Sequence, residues 1–107
     1  MKLQDMSPTV TKFKRNRTKK LGAWTFIDTV DDFSIHREVF HYGTLMGEFY
    51  KYDDEASSWQ FAPLSTGWGS ASDQQGMNKL INKFGWKFRR NNGQPRYEHS
   101  SGRRFPH

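Results

Sequence analysis

Hydrophobic and polar residues alternate with a period of two through the middle of the chain and switch once, near residue 77, to the period of a helix. Residues 23–27, Ala-Trp-Thr-Phe-Ile, are rich in strand formers. Asp31 and Asp32 break that run. In residues 34–42, Ile35, Arg37, Val39 and His41 share one side and His36, Glu38, Phe40 and Tyr42 the other, so both faces read as mixed. Gly43-Thr44 marks a turn into residues 44–52, where Leu45, Gly47, Phe49 and Lys51 alternate with Met46, Glu48, Tyr50 and Tyr52. A polar turn over 53–57 leads to a further strand over 58–64, whose Pro63 places its end at a sheet edge. Runs of this length joined by short turns predict an antiparallel meander.

The helical stretch follows a glycine-rich approach, Gly67-Trp68-Gly69-Ser70. Met77, Leu80, Ile81 and Phe84 fall at i, i+3, i+4 and i+7 and make one apolar stripe, with Gln74, Asn78, Lys79, Asn82 and Lys83 opposite. Ser72 with Gln75 three residues on predicts the N-terminal cap, and Gly85 the left-handed stop. Gly76 inside the first turns costs about 1 kcal/mol relative to alanine, which implies close packing there by a strand backbone or a ligand. Beyond Gly85, residues 86–90 and 94–99 flank Asn91-Asn92-Gly93, a hairpin signal because Asn and Gly tolerate positive φ. The expected fold is α+β: an antiparallel meander of about four to six strands with one helix packed on one face. Residues 1–20 read as a flexible basic arm, 21–99 as a single domain and 100–107 as a loose basic tail.

A chain of 107 residues supports one core without staples, and the absence of cysteine excludes disulfides and thiolate chemistry. With no long apolar run, the expectation is a cytoplasmic protein without membrane contact. Only 34% of residues are hydrophobic while 16% are aromatic, so the core is expected to rest on a few large rings. The net charge of +6 conceals a segregation: residues 1–20 carry +6, residues 21–78 carry −7 and residues 79–107 carry +7. Either the basic ends fold back on the acidic strands, or they form a one-sided surface that meets polyanions.

The candidate phosphate contacts are Lys12, Lys14, Arg15, Arg17, Lys19 and Lys20 in the arm, Lys79 and Lys83 on the helix, and Lys87, Arg89, Arg90 and Arg96 in the hairpin. Trp86, with Phe88 and Tyr97, offers rings on which bases stack; the alternative is that these rings are core and the cations face water. Gly69 and Ser70, at the positive end of the helix dipole, are candidate anion ligands, although the lysine of a phosphate-binding loop is missing. No cofactor or metal is expected. Asp53-Asp54-Glu55 lacks a glycine-spaced calcium loop, and His36 and His41 face opposite sides of a strand.

The order of strands followed by a helix is similar to that of the double-stranded RNA-binding domain. That family begins its last helix with lysines where this chain has Ser72, Asp73, Gln74 and Gln75, so its binding residues do not carry over. Residues 67–78, Gly-Trp-Gly-Ser-Ala-Ser-Asp-Gln-Gln-Gly-Met-Asn, with Lys-Leu-Ile-Asn-Lys-Phe-Gly after them, resemble a segment of small uncharacterised proteins encoded by tailed phages. The resemblance spans residues 67–85 and implies an accessory or host-directed role. The expectation is a non-enzymatic protein that binds DNA or RNA. The alternative is a small inhibitor of a host protein, acting through Glu48, Asp53, Asp54 and Glu55 or through exposed aromatics.

Overall fold

The alternation sorts into one dry and one wet face. Five antiparallel strands, β1 (Arg17–Leu21), β2 (Trp24–Val30), β3 (Ser34–His41), β4 (Thr44–Tyr52) and β5 (Gln60–Pro63), pair in chain order. The structure, a computed structural model, describes residues 3–8, 17–52 and 58–106. The apparently mixed β3 is not ambiguous: Ile35, Arg37, Val39 and His41 are all buried on the inner face. Its polar members are there because each has a partner. Arg37 lies opposite Asp28 and grips it in a fork, Nε to Oδ1 at 2.6 Å and Nη2 to Oδ2 at 2.8 Å, while its Nη1 donates to the Met6 carbonyl. Two parallel charge-assisted bonds satisfy charges that burial would otherwise penalise.

For residues 3–8 and 17–20, the described part of the arm expected over residues 1–20, the structure shows attachment to the fold. A 3-10 turn, Leu3–Met6, places Met6 in the core, and the Ser7 hydroxyl donates to the Leu80 carbonyl at 2.8 Å. Arg17, Lys19 and Lys20 belong to β1, paired with Asp28, Phe26 and Thr25. Lys12, Lys14 and Arg15 lie outside the described residues, as do Asp53, Asp54 and Glu55.

The β4 alternation slips by one at a bulge. Val39 pairs with Gly47 and Phe40 with Leu45, leaving Met46 unmatched, so Met46 and Gly47 are both buried. Gly47 admits no side chain, because a Cβ there would stand 2.5 Å from the Phe61 ring. The Met46 carbonyl freed by the bulge accepts from the amides of Leu64 and Ser65 at 3.0 and 3.1 Å, which anchors the exit of β5.

α1 (Ala71–Ile81) lies on the inner face with Met77, Leu80 and Ile81 fully buried. It ends three residues earlier than the stripe predicts. Asn82–Phe84 continues as a 3-10 turn that leaves Phe84 half-buried beside Phe49, and Gly85 stops it at φ 83°. Gly76 meets neither a strand backbone nor a ligand but the Trp24 indole, which a Cβ would approach to 2.0 Å.

Beside α1 on the same inner face sits a second antiparallel sheet, β6 (Trp86–Arg89), β7 (Arg96–His99) and β8 (Arg104–Phe105). The hairpin turn is longer than Asn-Gly alone, but Asn92 and Gly93 do take positive φ, 55° and 76°. The tail expected to be loose supplies β8, Phe105 pairing with Tyr97 and Arg104 with Glu98. Trp86, Phe88 and Tyr97 face inward and join one core with Phe49 and Phe61. The free edge of β6 is closed by Asn78, whose side-chain amide accepts from the Phe88 N–H at 2.9 Å and donates to the Phe88 carbonyl at 3.1 Å. Asn78 is therefore an edge cap and not part of a solvated helix face.

Two substitutions test this packing in urea melts. Leu80→Ala should lose about 2–5 kcal/mol as a core truncation; a loss under about 1 kcal/mol would place Leu80 at the surface. Gly76→Ala, which on an exposed helix would gain up to about 1 kcal/mol, should instead destabilise by about 1–3 kcal/mol through overpacking. A stabilised variant would remove the Trp24 contact from the account.

Candidate nucleic-acid interface

The glycine-rich approach to α1 does not offer free amides to an anion. Ser70, not Ser72, is the N-cap, and its hydroxyl accepts from the Asp73 N–H at 3.1 Å. The Asp73 carboxylate returns to the loop: Oδ2 accepts from the amides of Trp68 and Ser70, both at 3.1 Å, and Oδ1 from His41 Nδ1 at 2.5 Å. The Gly69 amide donates to the Thr66 carbonyl at 3.2 Å. The anion expected at Gly69 and Ser70 is thus an internal one, and both residues are withdrawn as ligands. Asp73 is 2% exposed and His41 4%, with His41 stacked on Trp24 at 4.0 Å. Burial alone would raise the Asp73 pKa, but the hydrogen bonds from His41 and Ser70 outweigh it and hold the carboxyl below its ordinary value. Burial, reinforced by the Asp73 charge, pushes the nearby Tyr97 hydroxyl well above its ordinary pKa, and that hydroxyl donates to the Ser65 carbonyl at 2.8 Å.

The cations gather elsewhere. With Trp86, Phe88, Tyr97 and Phe105 turned inward, the intervening residues Lys87, Arg89, Arg96, Glu98 and Arg104 stand on the outer face of the second sheet. Register sets Lys87 and Arg104 on either side of Glu98 and puts Arg89 opposite Arg96. Opposed like charges cost stability. Glu98 relieves part of it through a 2.8 Å contact with Arg89, but one carboxylate faces four cations. A cleft of about 510 Å³ opens at one side, walled by Arg96, Arg104, Gln94, Thr66, Pro95 and Pro106.

The other expected contacts divide. Arg90 is exposed but directed to the Gly69 carbonyl, Nε to O at 2.9 Å, on the margin of this face. Lys79 and Lys83 are exposed at the end of α1 and in the turn after it, with Lys83 Nζ 5.4 Å from the Phe84 ring. Lys19 and Lys20 sit on β1, four strand spacings from β5 and so roughly 19 Å across the sheet from the second sheet's side. Trp86 is withdrawn as a stacking platform: it is 6% exposed, an edge-on neighbour of Phe61. The ring that does face water is Trp68, 88% exposed, in the loop whose Gly69 packs on Pro95. Trp68 and Arg104 were not among the sequence candidates. The turn residues Ser100-Ser101-Gly102 after β7 are the signal that points to a further strand and hence to Arg104.

The outer face of the five-stranded sheet has the opposite character. Glu38 lies directly across from Glu48, and His36 Nδ1 stands 3.7 Å from Glu48. Phe33 and Tyr52 are exposed at one end. Among the described residues, no Lys or Arg of 79–107 forms an ion pair with a carboxylate of 21–78. No described helix is long and apolar enough to cross a membrane, and no described group of three or more His, Asp or Glu is placed to hold a metal. No protein-family model, curated protein or solved structure matches the chain.

Asp73→Asn should lose about 2 kcal/mol or more at neutral pH, because it removes the charge that its donors satisfy. A depressed carboxyl contributes above its unfolded pKa of about 3.9 and loses that contribution as pH falls through the lower folded value. The deficit of the variant should therefore shrink below about pH 4. Urea melts from neutral to acid pH check this; a deficit unchanged down to about pH 2 would show that the charge is not its source.

Proposed function

We propose that this chain is a non-enzymatic nucleic-acid-binding module of the accessory kind found in tailed phages, acting in the cytoplasm of a bacterial host. The observation that carries the reading is the outer face of the second sheet, where Lys87, Arg89, Arg96 and Arg104 surround a single Glu98. The opposition of Arg89 and Arg96 disfavours folding, and a polyphosphate backbone laid across the face turns that repulsion into attraction. Arg96 and Arg104 line the adjoining cleft, and guanidinium forks suit phosphate oxygens. Trp68, on the loop beside Pro95, supplies a ring in water within the same region.

A second reading, a small inhibitor that binds a host protein, is favoured by the outer face of the larger sheet, which no described element covers. The Glu38–Glu48 opposition and exposed Phe33 and Tyr52 suit a partner with a basic rim and an aromatic-accepting pocket.

The two readings separate by salt dependence. In fluorescence-anisotropy titrations of labelled single- and double-stranded DNA and RNA, affinity should fall by orders of magnitude from low to moderate salt. Lys87→Gln/Arg104→Gln should weaken binding alike for all sequences and flatten the salt slope by about two. Absence of binding at low salt, or an unchanged slope in the variant, would overturn the nucleic-acid reading and leave the protein-partner one.

A further inference from the structure

The two arginines of the basic face that have no counter-ion among the described residues are the two that wall the cleft beside it. Glu98 is held by Arg89 at 2.8 Å, which leaves Arg96 and Arg104 without a carboxylate of their own. Strand register brings these two together. Arg104 lies opposite Glu98, and Arg96 stands two residues before Glu98 on the same face, so the arginines are diagonal neighbours with backbones about 7–8 Å apart. Their side chains are long enough to close on one group from that spacing. The rest of the cleft, about 510 Å³ in volume, is neutral: Thr66 and Gln94 offer a hydroxyl and an amide, and Pro95 and Pro106 offer apolar walls with no backbone N–H. Among the described residues no carboxylate lines it, and all six lining residues keep surface open to water.

Two guanidinium forks on one cleft call for more charge and more acceptor oxygens than the interior of a strand supplies at one point. An internal phosphodiester carries a single charge on its two free oxygens, whereas a phosphate monoester carries about −1.5 to −2 charges at neutral pH on three. We propose that this cleft takes the phosphate monoester of a nucleotide, with Arg96 and Arg104 as its clasp and the end of a nucleic-acid strand as its source. Bidentate pairing with guanidinium is the strong form of phosphate recognition. The volume lies within the roughly 300–1,000 Å³ of small-ligand clefts, so there is room for more of the nucleotide than its phosphate. Position favours a nucleotide over a phosphorylated peptide side chain. The cleft opens at one side of the face that carries Lys87 and Arg89, where the preceding phosphates of a strand lie. Trp68, 88% exposed, stands in the loop between Thr66, which lines the cleft, and Gly69, which packs on Pro95, and an open ring is a surface on which a base stacks. The inference rests on the nucleic-acid reading and narrows its ligand to a strand with a phosphorylated end.

The test uses the full chain and labelled strands of about 15 nucleotides that are phosphorylated at one end, at the other end, or at neither, with an unlabelled nucleoside monophosphate as competitor. At one salt concentration a strand phosphorylated at the recognised end should bind about tenfold more tightly than the strand with hydroxyl ends. The monophosphate should remove that advantage and leave the strand on the basic face. Arg96→Gln/Arg104→Gln should bring all three strands to one level. Arg96→Lys/Arg104→Lys, which keeps the charge and removes the forks, should cut the advantage to less than about twofold. Lys87→Gln should weaken the three strands alike and keep their ratios. Because Arg96 opposes Arg89, the glutamine variant should lose no stability in a urea melt, so its lost advantage belongs to the cleft. Equal affinity for the three strands, or an advantage that survives in Arg96→Gln/Arg104→Gln, overturns the cleft assignment while the basic face stands. Binding of the monophosphate by a chain that holds no strand at low salt keeps the cleft, makes a free nucleotide its source and overturns the nucleic-acid reading. A phosphoserine peptide that binds as tightly as the phosphorylated strand overturns the choice of a nucleotide. Failure of every ligand to bind at low salt overturns both inferences.

Discussion

The Asp73 carboxylate is the constraint on which the rest of the structure depends. As the third residue of α1 it receives the Trp68 and Ser70 amides, and from across the core it receives His41 of β3. An ionised acid at 2% exposure is tolerable only with such a set of donors. Satisfying it fixes three things at once: where the helix begins, how the glycine loop curls, and how the helix sits on the sheet. Gly67 at φ 61° and Gly69 at φ 68° let the loop wrap the carboxylate, and a Cβ on Gly67 would come 3.1 Å from Asp73 Oδ2. The linkage closes on itself, because His41 stacks on Trp24 and Trp24 fills the space over Gly76, one turn along the same helix. Helix and sheet are thus joined at two points by a polar contact and an aromatic one, which together leave little freedom to slide or rotate.

Much of this architecture was legible in residue order, and the exceptions share a cause. Alternation located β2 to β7, and the i, i+3, i+4 stripe located α1, because both signals reside in neighbouring residues; β1, rich in Lys and Arg, shows no such alternation and reads as part of an arm. Arg37 and His41 made β3 look two-sided, since what makes them inward residues is Asp28 on one strand and Asp73 on a distant helix. The cap shift from Ser72 to Ser70 has the same origin. Both serines precede a suitable residue by three, and only the burial of Asp73 decides between them. β8 spans two residues, too few to show a period, and is held by pairing with β7 alone. The bulge at Met46 has no local signature either, yet it moves a methionine into the core and frees a carbonyl that anchors Ser65.

Aromatic residues show most clearly why composition underdetermines a site. Trp68 and Trp86 both neighbour glycine and both precede or adjoin polar residues in the chain. Trp86 begins a strand whose edge is capped by Asn78, so its ring is driven inward against Phe61. Trp68 sits between two glycines with positive φ, on a loop whose amides are already committed to Asp73, and the ring is left outside. The hairpin cations follow from the same geometry. Once Trp86, Phe88 and Tyr97 are inward, the pleat gives Lys87, Arg89 and Arg96 no choice but the outer face.

The segregation of charge along the chain becomes a segregation between layers. The acidic middle supplies Glu38 and Glu48 to the outer face of one sheet, and the C-terminal third supplies Lys87, Arg89, Arg96 and Arg104 to the outer face of the other. Packed sheets lie about 10 Å apart, and side chains pointing away from the core add to that separation. Outside the protein, salt at physiological strength screens over about 8 Å. Among the described residues, Glu38 and Glu48 on one side therefore cancel little of the field of the four cations on the other. Like charges gathered on one face are the arrangement that orients encounter with a charged partner before any contact forms. Had the cations of the C-terminal third packed against the acidic strands, the same residues would have produced a neutral surface with no preferred side. The inward turn of three rings in the hairpin is what prevents it, because it commits the intervening cations to a face that the acidic strands do not reach.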